Sequence, residues 1–257
     1  MWQFAANLTM LWTDRDIYAR FAAAAASGFS RVELLFPQLL DADSVTAALD
    51  EHRLSFVLFD ARPGDWEVGE RGLLGLPGRE EELRESVEEA LRLAKIFHTR
   101  RINILSGIVP AGTTPAECIR VAAENLRRMA PLAEREGVLL LIEPLNDVDV
   151  PGYLVPTVDE AAALVEAADS PAVRLQFDQY HVGMSGDDPV SSYRRHAHLV
   201  EHVQIADVPG RHEPGTGMQP IGSLLEELSR MNYEGSVGLE YIPSGKTEDS
   251  LAWLGSR

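Results

Sequence analysis

Val138-Leu139-Leu140-Leu141-Ile142-Glu143 is a run of five aliphatic residues closed by a carboxylate, with Pro144 immediately after it. An unbroken aliphatic run suits a strand buried on both faces of a parallel sheet. A half-exposed antiparallel strand would alternate apolar with polar residues. Seven other short runs share its character: residues 3–7, 31–36, 54–60, 101–106, 173–178, 200–206 and 236–241. Longer amphipathic stretches separate them. Residues 14–27 end at Gly28, and residues 79–98 begin acidic and finish basic, as a helix dipole favours. Residues 114–136 open on Thr114-Pro115-Ala116-Glu117, an N-cap, an N1 proline and an acidic first turn; residues 157–169 open on Thr157 with Glu160 three positions on, a capping box. Strands and helices in repeated alternation predict an α/β chain. With eight such pairs the expected fold is a single (β/α)₈ TIM barrel spanning residues 1–257, an architecture that needs about 250 residues. The other common α/β architecture, an open doubly wound sheet, usually carries G-x-G-x-x-G after its first strand, and no early strand here is followed by one.

Composition narrows the partners. A net charge of −17 repels a phosphate backbone and anionic membranes, so nucleic acid and membrane are excluded as partners. No uncharged apolar run approaches the roughly 18 residues of a membrane span, and the opening MWQFAANLTMLW has no basic residues ahead of its apolar ones. The single cysteine, Cys118, has no partner for an internal disulfide, which fits a reducing compartment. The expectation is a cytoplasmic protein acting on a small molecule. Barrels often form homo-oligomers, although no interface signature stands out in the sequence.

Three connections that follow strands are long and rich in Gly, Pro and charge: residues 61–78, 144–156 and 207–220. In a barrel these stand on the C-terminal face, where barrel enzymes keep their active sites. Four strands end in polar side chains where packing alone would place apolar ones: Glu143, Asp178, Gln204 and Glu240. They are separated by 35, 26 and 36 residues, each about one βα unit, so four oxygen donors are expected at corresponding heights on consecutive strands. Buried carboxylates without a counter-charge are costly, and a bound cation resolves the cost. Three carboxylates and an amide oxygen make a hard site suited to Mg²⁺ or Mn²⁺. His181, three residues after Asp178, is either a further ligand or a substrate contact. Arg211 and His212, in the 207–220 loop, face an anionic substrate group in this reading. Trp66 is either an apolar wall over the site or a loop anchor, and Glu70 either reaches the substrate or pairs with Arg71. His52, His98, His196, His198 and His202 fall in helices or low on strands and are assigned no function.

The strings NLTML (7–11), PGDWEVGERG (63–72), LLLIEPLN (139–146), FDQYH (177–181), HVQIADVPGRHEPGTG (202–217) and GLEY (238–241) together resemble the hydroxypyruvate isomerase family, one of the xylose-isomerase-like (β/α)₈ barrels. The likeness runs in the same order from first strand to last. It implies a divalent metal held by Glu143, Asp178, Gln204 and Glu240, with Glu143 and Glu240 as the acid/base pair. The implied reaction interconverts hydroxypyruvate and tartronate semialdehyde, or isomerises or epimerises a larger keto acid or ketose on the same residues. Two positions depart from the family pattern: Met218 stands where a polar residue is usual, and Asp60 where Asn or His is. Both are expected to border the pocket. Rival readings are a DNA-cleaving hydrolase of the same barrel type, which would need a histidine-rich zinc cluster, and a non-catalytic metabolite-binding barrel.

Overall fold

The computed structural model describes residues 2–256, with backbone alone at Ser256. Strands β1 (Phe4–Asn7), β2 (Arg31–Glu33), β3 (Ser55–Asp60), β4 (Arg101–Asn103), β5 (Leu139–Ile142), β6 (Val173–Asp178), β7 (Val200–Ile205) and β8 (Val237–Leu239) lie side by side in chain order. All eight pairings are parallel, and β8 closes on β1, so the expected barrel forms. The helices are α1 (Ile17–Ala26), α2 (Ala42–His52), α3 (Glu80–Phe97), α4 (Pro115–Glu136), α5 (Val158–Ala168), α6 (Gln179–Met184), α7 (Pro189–His196), α8 (Ile221–Arg230) and α9 (Thr247–Ser250). Among the described residues, no helix is long and apolar enough to cross a membrane.

Local chemistry sets the helix starts where the sequence places them. Thr114 caps α4 through the amide of Glu117, and Thr157 and Glu160 exchange both bonds of a capping box at α5. Several strands are shorter than their apolar runs. Past Ile104, whose amide still donates to the Leu141 carbonyl of β5, the backbone pairs with the 72–75 segment instead, where Gly75 donates to the carbonyl of Ser106. Gly72 makes that approach feasible: its φ is +123°, and a Cβ there would lie 2.2 Å from the Leu105 carbonyl oxygen.

The aliphatic runs divide by face, since alternate side chains of a strand point to opposite sides. Leu140, Ile142, Leu175, Phe177, Val203 and Ile205 pack outward in the main hydrophobic core. The inward positions are not all aliphatic. A small interior cluster of Ala5, Val57, Leu58 and Leu141 is accompanied by a buried polar layer built from Asn7, Glu33, Gln176, His202 and Gln204. Glu33 organises it, accepting from Asn7 Nδ2 (3.0 Å) and Gln204 Nε2 (2.9 Å) on one oxygen and pairing with His202 Nε2 (2.8 Å) on the other. Gly238 on β8 leaves room for this carboxylate, because a Cβ there would meet both Glu33 oxygens at 2.5 Å.

Candidate active site

Asp60, Glu143, His181, Arg211 and Glu240 line one cavity of 190 Å³ at the strand-end mouth of the barrel, walled on its apolar side by Met10, Leu35, Leu105 and Leu145. Each polar member is placed by a simple local device. Asp178 ends β6 and caps α6 with Oδ1, accepting from the Tyr180 amide at 2.9 Å, which leaves Oδ2 facing inward. Glu143 follows β5 directly, and Asn103 Nδ2 donates to its Oε2 at 2.7 Å. Arg211 lies in the loop after β7 with φ +55°, a conformation that costs a non-glycine residue about 1–2 kcal/mol. That loop folds around Asp207, whose carboxylate accepts from the amides of Val208, Gly215 and Gln219.

The site is crowded with acid. Burial pushes the Glu143 carboxyl well above the usual carboxylate range, and the charges of Asp178 and Asp60 push the same way. Burial also raises Glu240 well above that range, with Arg211 opposing. Asp178 is raised by burial and opposed by Arg211, while Asp60 is pushed up to about 8, chiefly by burial. One guanidinium offsets part of this: Arg211 Nη2 donates to Asp178 Oδ2 at 2.8 Å and Glu240 Oε2 at 2.7 Å.

Burial holds His181 well below its usual value and Arg211 adds to the effect, so the ring is neutral. Its Nδ1 accepts from the backbone amide of Asn146 at 3.2 Å, which assigns the ring hydrogen to Nε2. That nitrogen stands 3.5 Å from Asp178 Oδ2.

Glu143, Asp178 and His181 offer ligand atoms all within 4.8 Å of one another, so this cluster is positioned to coordinate a metal ion. The donor set fits a hard divalent cation. The buried carboxyl groups Asp60, Glu143, Asp178 and Glu240 outnumber the one guanidinium hydrogen-bonded among them, Arg211, and a bound cation would offset the burial that raises the proton affinity of Glu143 and Glu240. Gln204 is a register neighbour of Asp178 and of Gly238, but its amide is turned into the polar layer, with Oε1 accepting from Gln176 Nε2 at 2.6 Å.

Of the remaining expectations, Trp66 lines the cavity and is half-exposed. Glu70 does not line it: its carboxylate pairs with Arg79 and accepts from the Asp65 amide, and the lining residue is its neighbour Arg71. The Glu70 carboxylate and the Arg71 guanidinium therefore form no ion pair, and Arg71 Nη1 donates instead to the Glu70 backbone carbonyl at 2.8 Å. Asp60 borders the pocket as expected, whereas Met218 is 81% exposed and outside the lining, because the loop turns it to solvent once Gly217 packs against the Val208 carbonyl. Asn103 and Glu33 support the site although neither was expected to hold metal or substrate, and Arg71, expected only as a partner of Glu70, lines the cavity. Glu33 and Asn103 each carried a signal, a polar residue in an otherwise apolar strand.

Residues 21–257 match the family described as Xylose isomerase-like TIM barrel, and the chain belongs to that family. Within it, the chain is closely related to proteins of two names. It is 40% identical to the 2-oxo-tetronate isomerase of Cupriavidus necator, covering 98% of this chain and 97% of that one. It is 37% identical to the hydroxypyruvate isomerase of Escherichia coli, covering 99% and 98%. A crystal structure described as AP endonuclease, family 2, from Brucella melitensis superposes with a TM-score of 0.96 at 39% identity, covering 100% of this chain and 99% of that one.

Proposed function

We propose that the protein is a divalent-metal-dependent isomerase of small 2-oxo acids, exchanging a carbonyl with the hydroxyl on the neighbouring carbon through an enediolate. The observation that carries this reading is the pair Glu143 and Glu240, two buried carboxyl groups facing one cavity from different strand ends, both with raised proton affinity. The reaction removes a proton from the hydroxyl-bearing carbon and returns one to its neighbour. Carboxyl groups tuned upward by burial serve both halves near neutral pH.

In this reading one glutamate takes the carbon-bound proton and the other returns it. Asn103 fixes Glu143 through Oε2, and Oε1 accepts no hydrogen bond among the described residues, so it is available to the substrate. Arg211 and Asn7 orient Glu240. His181 Nε2–H donates to a substrate oxygen. Met10, Leu35, Leu105 and Leu145, with Trp66 above, keep water from the intermediate. A Mg²⁺ or Mn²⁺ ion held by Glu143, Asp178, Gln204 and Glu240 supplies, when bound, the positive charge that stabilises developing negative charge on the substrate oxygens. Gln204 joins that set only if its oxygen turns away from Gln176.

A cavity of 190 Å³ is smaller than the roughly 300–1,000 Å³ of pockets for drug-sized ligands, which favours a substrate of three or four carbons over a hexose. The three-carbon candidate is hydroxypyruvate, going to tartronate semialdehyde; the four-carbon candidate is 2-oxo-tetronate, which the 40% identical relative carries in its name. We read the chain as one barrel domain acting in the cytoplasm. DNA cleavage is disfavoured by the net charge of −17 and by a cavity lining with a single histidine, His181.

The test is incubation with each acid in D₂O, with and without Mn²⁺, followed by NMR, alongside an abasic DNA duplex with zinc. Metal-dependent isomerisation with deuterium incorporated at the exchanging carbon is expected. Failure to convert or exchange either acid, or cleavage of the duplex, would overturn the reading.

A further inference from the structure

Resting on that reading, we propose that Arg71 is the receptor for the substrate's carboxylate and thereby sets the preference for acids over neutral ketoses. The cavity lining is otherwise rich in carboxyl groups, Asp60, Asp149, Glu143 and Glu240, none of which gives a substrate carboxylate a positive partner. Two guanidinium groups line the cavity, Arg211 and Arg71. Arg211 is engaged, since its Nη2 bridges Asp178 and Glu240 and its Nε donates to the Glu240 carbonyl. His181 is neutral and brings only a single N–H donor.

Arg71 is different. Among the described residues it makes no ion pair; its Nη1 donates to the carbonyl oxygens of Trp66 (3.1 Å) and Glu70 (2.8 Å), while Nη2 and Nε have no partner. These two nitrogens form one edge of the guanidinium fork, the geometry that receives a carboxylate through two parallel hydrogen bonds. The group is also held in advance of binding. Its Cζ lies 3.7 Å from the centroid of the Trp66 ring, and Trp66 itself leans on Phe36 with ring centroids 5.1 Å apart. Glu70 braces the same loop by joining Arg79 to the Asp65 amide, and Gly72 pins its far end against Leu105. The buried acid/base pair and the side chain that carries the unpaired fork therefore line the same small cavity.

The experiment compares wild type with Arg71→Met and Arg71→Lys on hydroxypyruvate, 2-oxo-tetronate and the neutral ketose erythrulose, which carries a hydroxymethyl group in place of the carboxylate of a four-carbon acid. Steady-state kinetics with Mn²⁺ are paired with calorimetric binding of each compound to the metal-loaded protein. In Arg71→Met, KM and Kd for the acids should rise about 10- to 100-fold, the scale of a lost charge-assisted pair, and by more than kcat falls. The acid-to-ketose ratio of kcat/KM should drop by a similar factor, with Arg71→Lys falling between. Acids turned over by wild type and bound equally well by Arg71→Met would overturn the role of Arg71 and leave the isomerase reading standing. Arg71-dependent binding of an acid that wild type never converts would do the reverse. Equal loss on acids and erythrulose would reduce Arg71 to a loop brace and also overturn the proposal.

Discussion

Arg211 holds Glu240 twice: Nη2 donates to the carboxylate at 2.7 Å and Nε to the residue's own carbonyl oxygen at 3.3 Å, so one guanidinium fixes both the chain past β8 and the side chain it presents. The same Nη2 reaches Asp178, which makes Arg211 the internal counter-ion of the site. Truncating one partner of a buried pair strands the other charge, at a cost of about 3–5 kcal/mol. Arg211→Met is therefore expected to lower the stability of the metal-free protein by that order in urea unfolding, and Mn²⁺ should recover part of the loss. Unchanged stability without metal would mean that the carboxylates have some other compensation.

Glu143→Gln and Glu240→Gln keep shape and hydrogen-bonding capacity while removing proton transfer. Each should retain the wild-type circular dichroism spectrum and lose at least about two orders of magnitude in kcat, the scale of a general acid or base. A variant within a few-fold of wild type would remove that residue from the proton path.

Metal should stabilise as well as activate. Treatment with EDTA is expected to abolish turnover and Mg²⁺ or Mn²⁺ to restore it. At about 100 times Kd, either ion should add about 2.7 kcal/mol to unfolding free energy, seen as a concentration-dependent rise in Tm. An unfolding midpoint indifferent to EDTA and to added ion would contradict a site at these carboxylates.

Asp60 gives the pH dependence a sign. Its folded value of about 8 lies above its ordinary 3.8, so the folded chain binds this proton more tightly than the unfolded chain. The group's stabilising contribution is complete below about pH 4 and is lost as pH rises toward 8. Asp60→Asn cannot ionise, so relative to metal-free wild type it should gain stability steadily across that window and level off above it. Denaturant titrations of the two proteins at several pH values decide this, and parallel profiles would place the proton elsewhere.

Gly238→Ala tests the polar layer from behind. The added methyl would meet both Glu33 oxygens at 2.5 Å and Gln204 Cγ at 2.8 Å. Overpacking of this kind costs about 1–3 kcal/mol, and disturbance of groups supporting a metal ligand weakens metal binding about 10- to 100-fold. Calorimetric Mn²⁺ titration of the variant should show that loss, and unaltered affinity would separate Gln204 from the metal set.

The order of strands and helices was legible in the chain because it depends on local pattern: aliphatic runs such as 138–142, caps such as Thr114 and Thr157, and spacing that repeats by one βα unit. The strand-end positions of Glu143, Asp178 and Glu240 followed from that same periodicity. Tertiary structure decided what each polar group faces. Gln204 turns to Gln176 and Glu33, and Arg211 to two carboxylates, because these partners stand on or just past other strands that only the folded barrel sets side by side, while Glu70 turns to Arg79, nine residues on, once the connection between them has folded. Arg71 owes its open fork to the folding of that same connection. Its orientation is set by the stack on Trp66 and by a loop anchored at Gly72, and no property of residues 63–72 taken alone fixes which neighbouring charge Glu70 will choose.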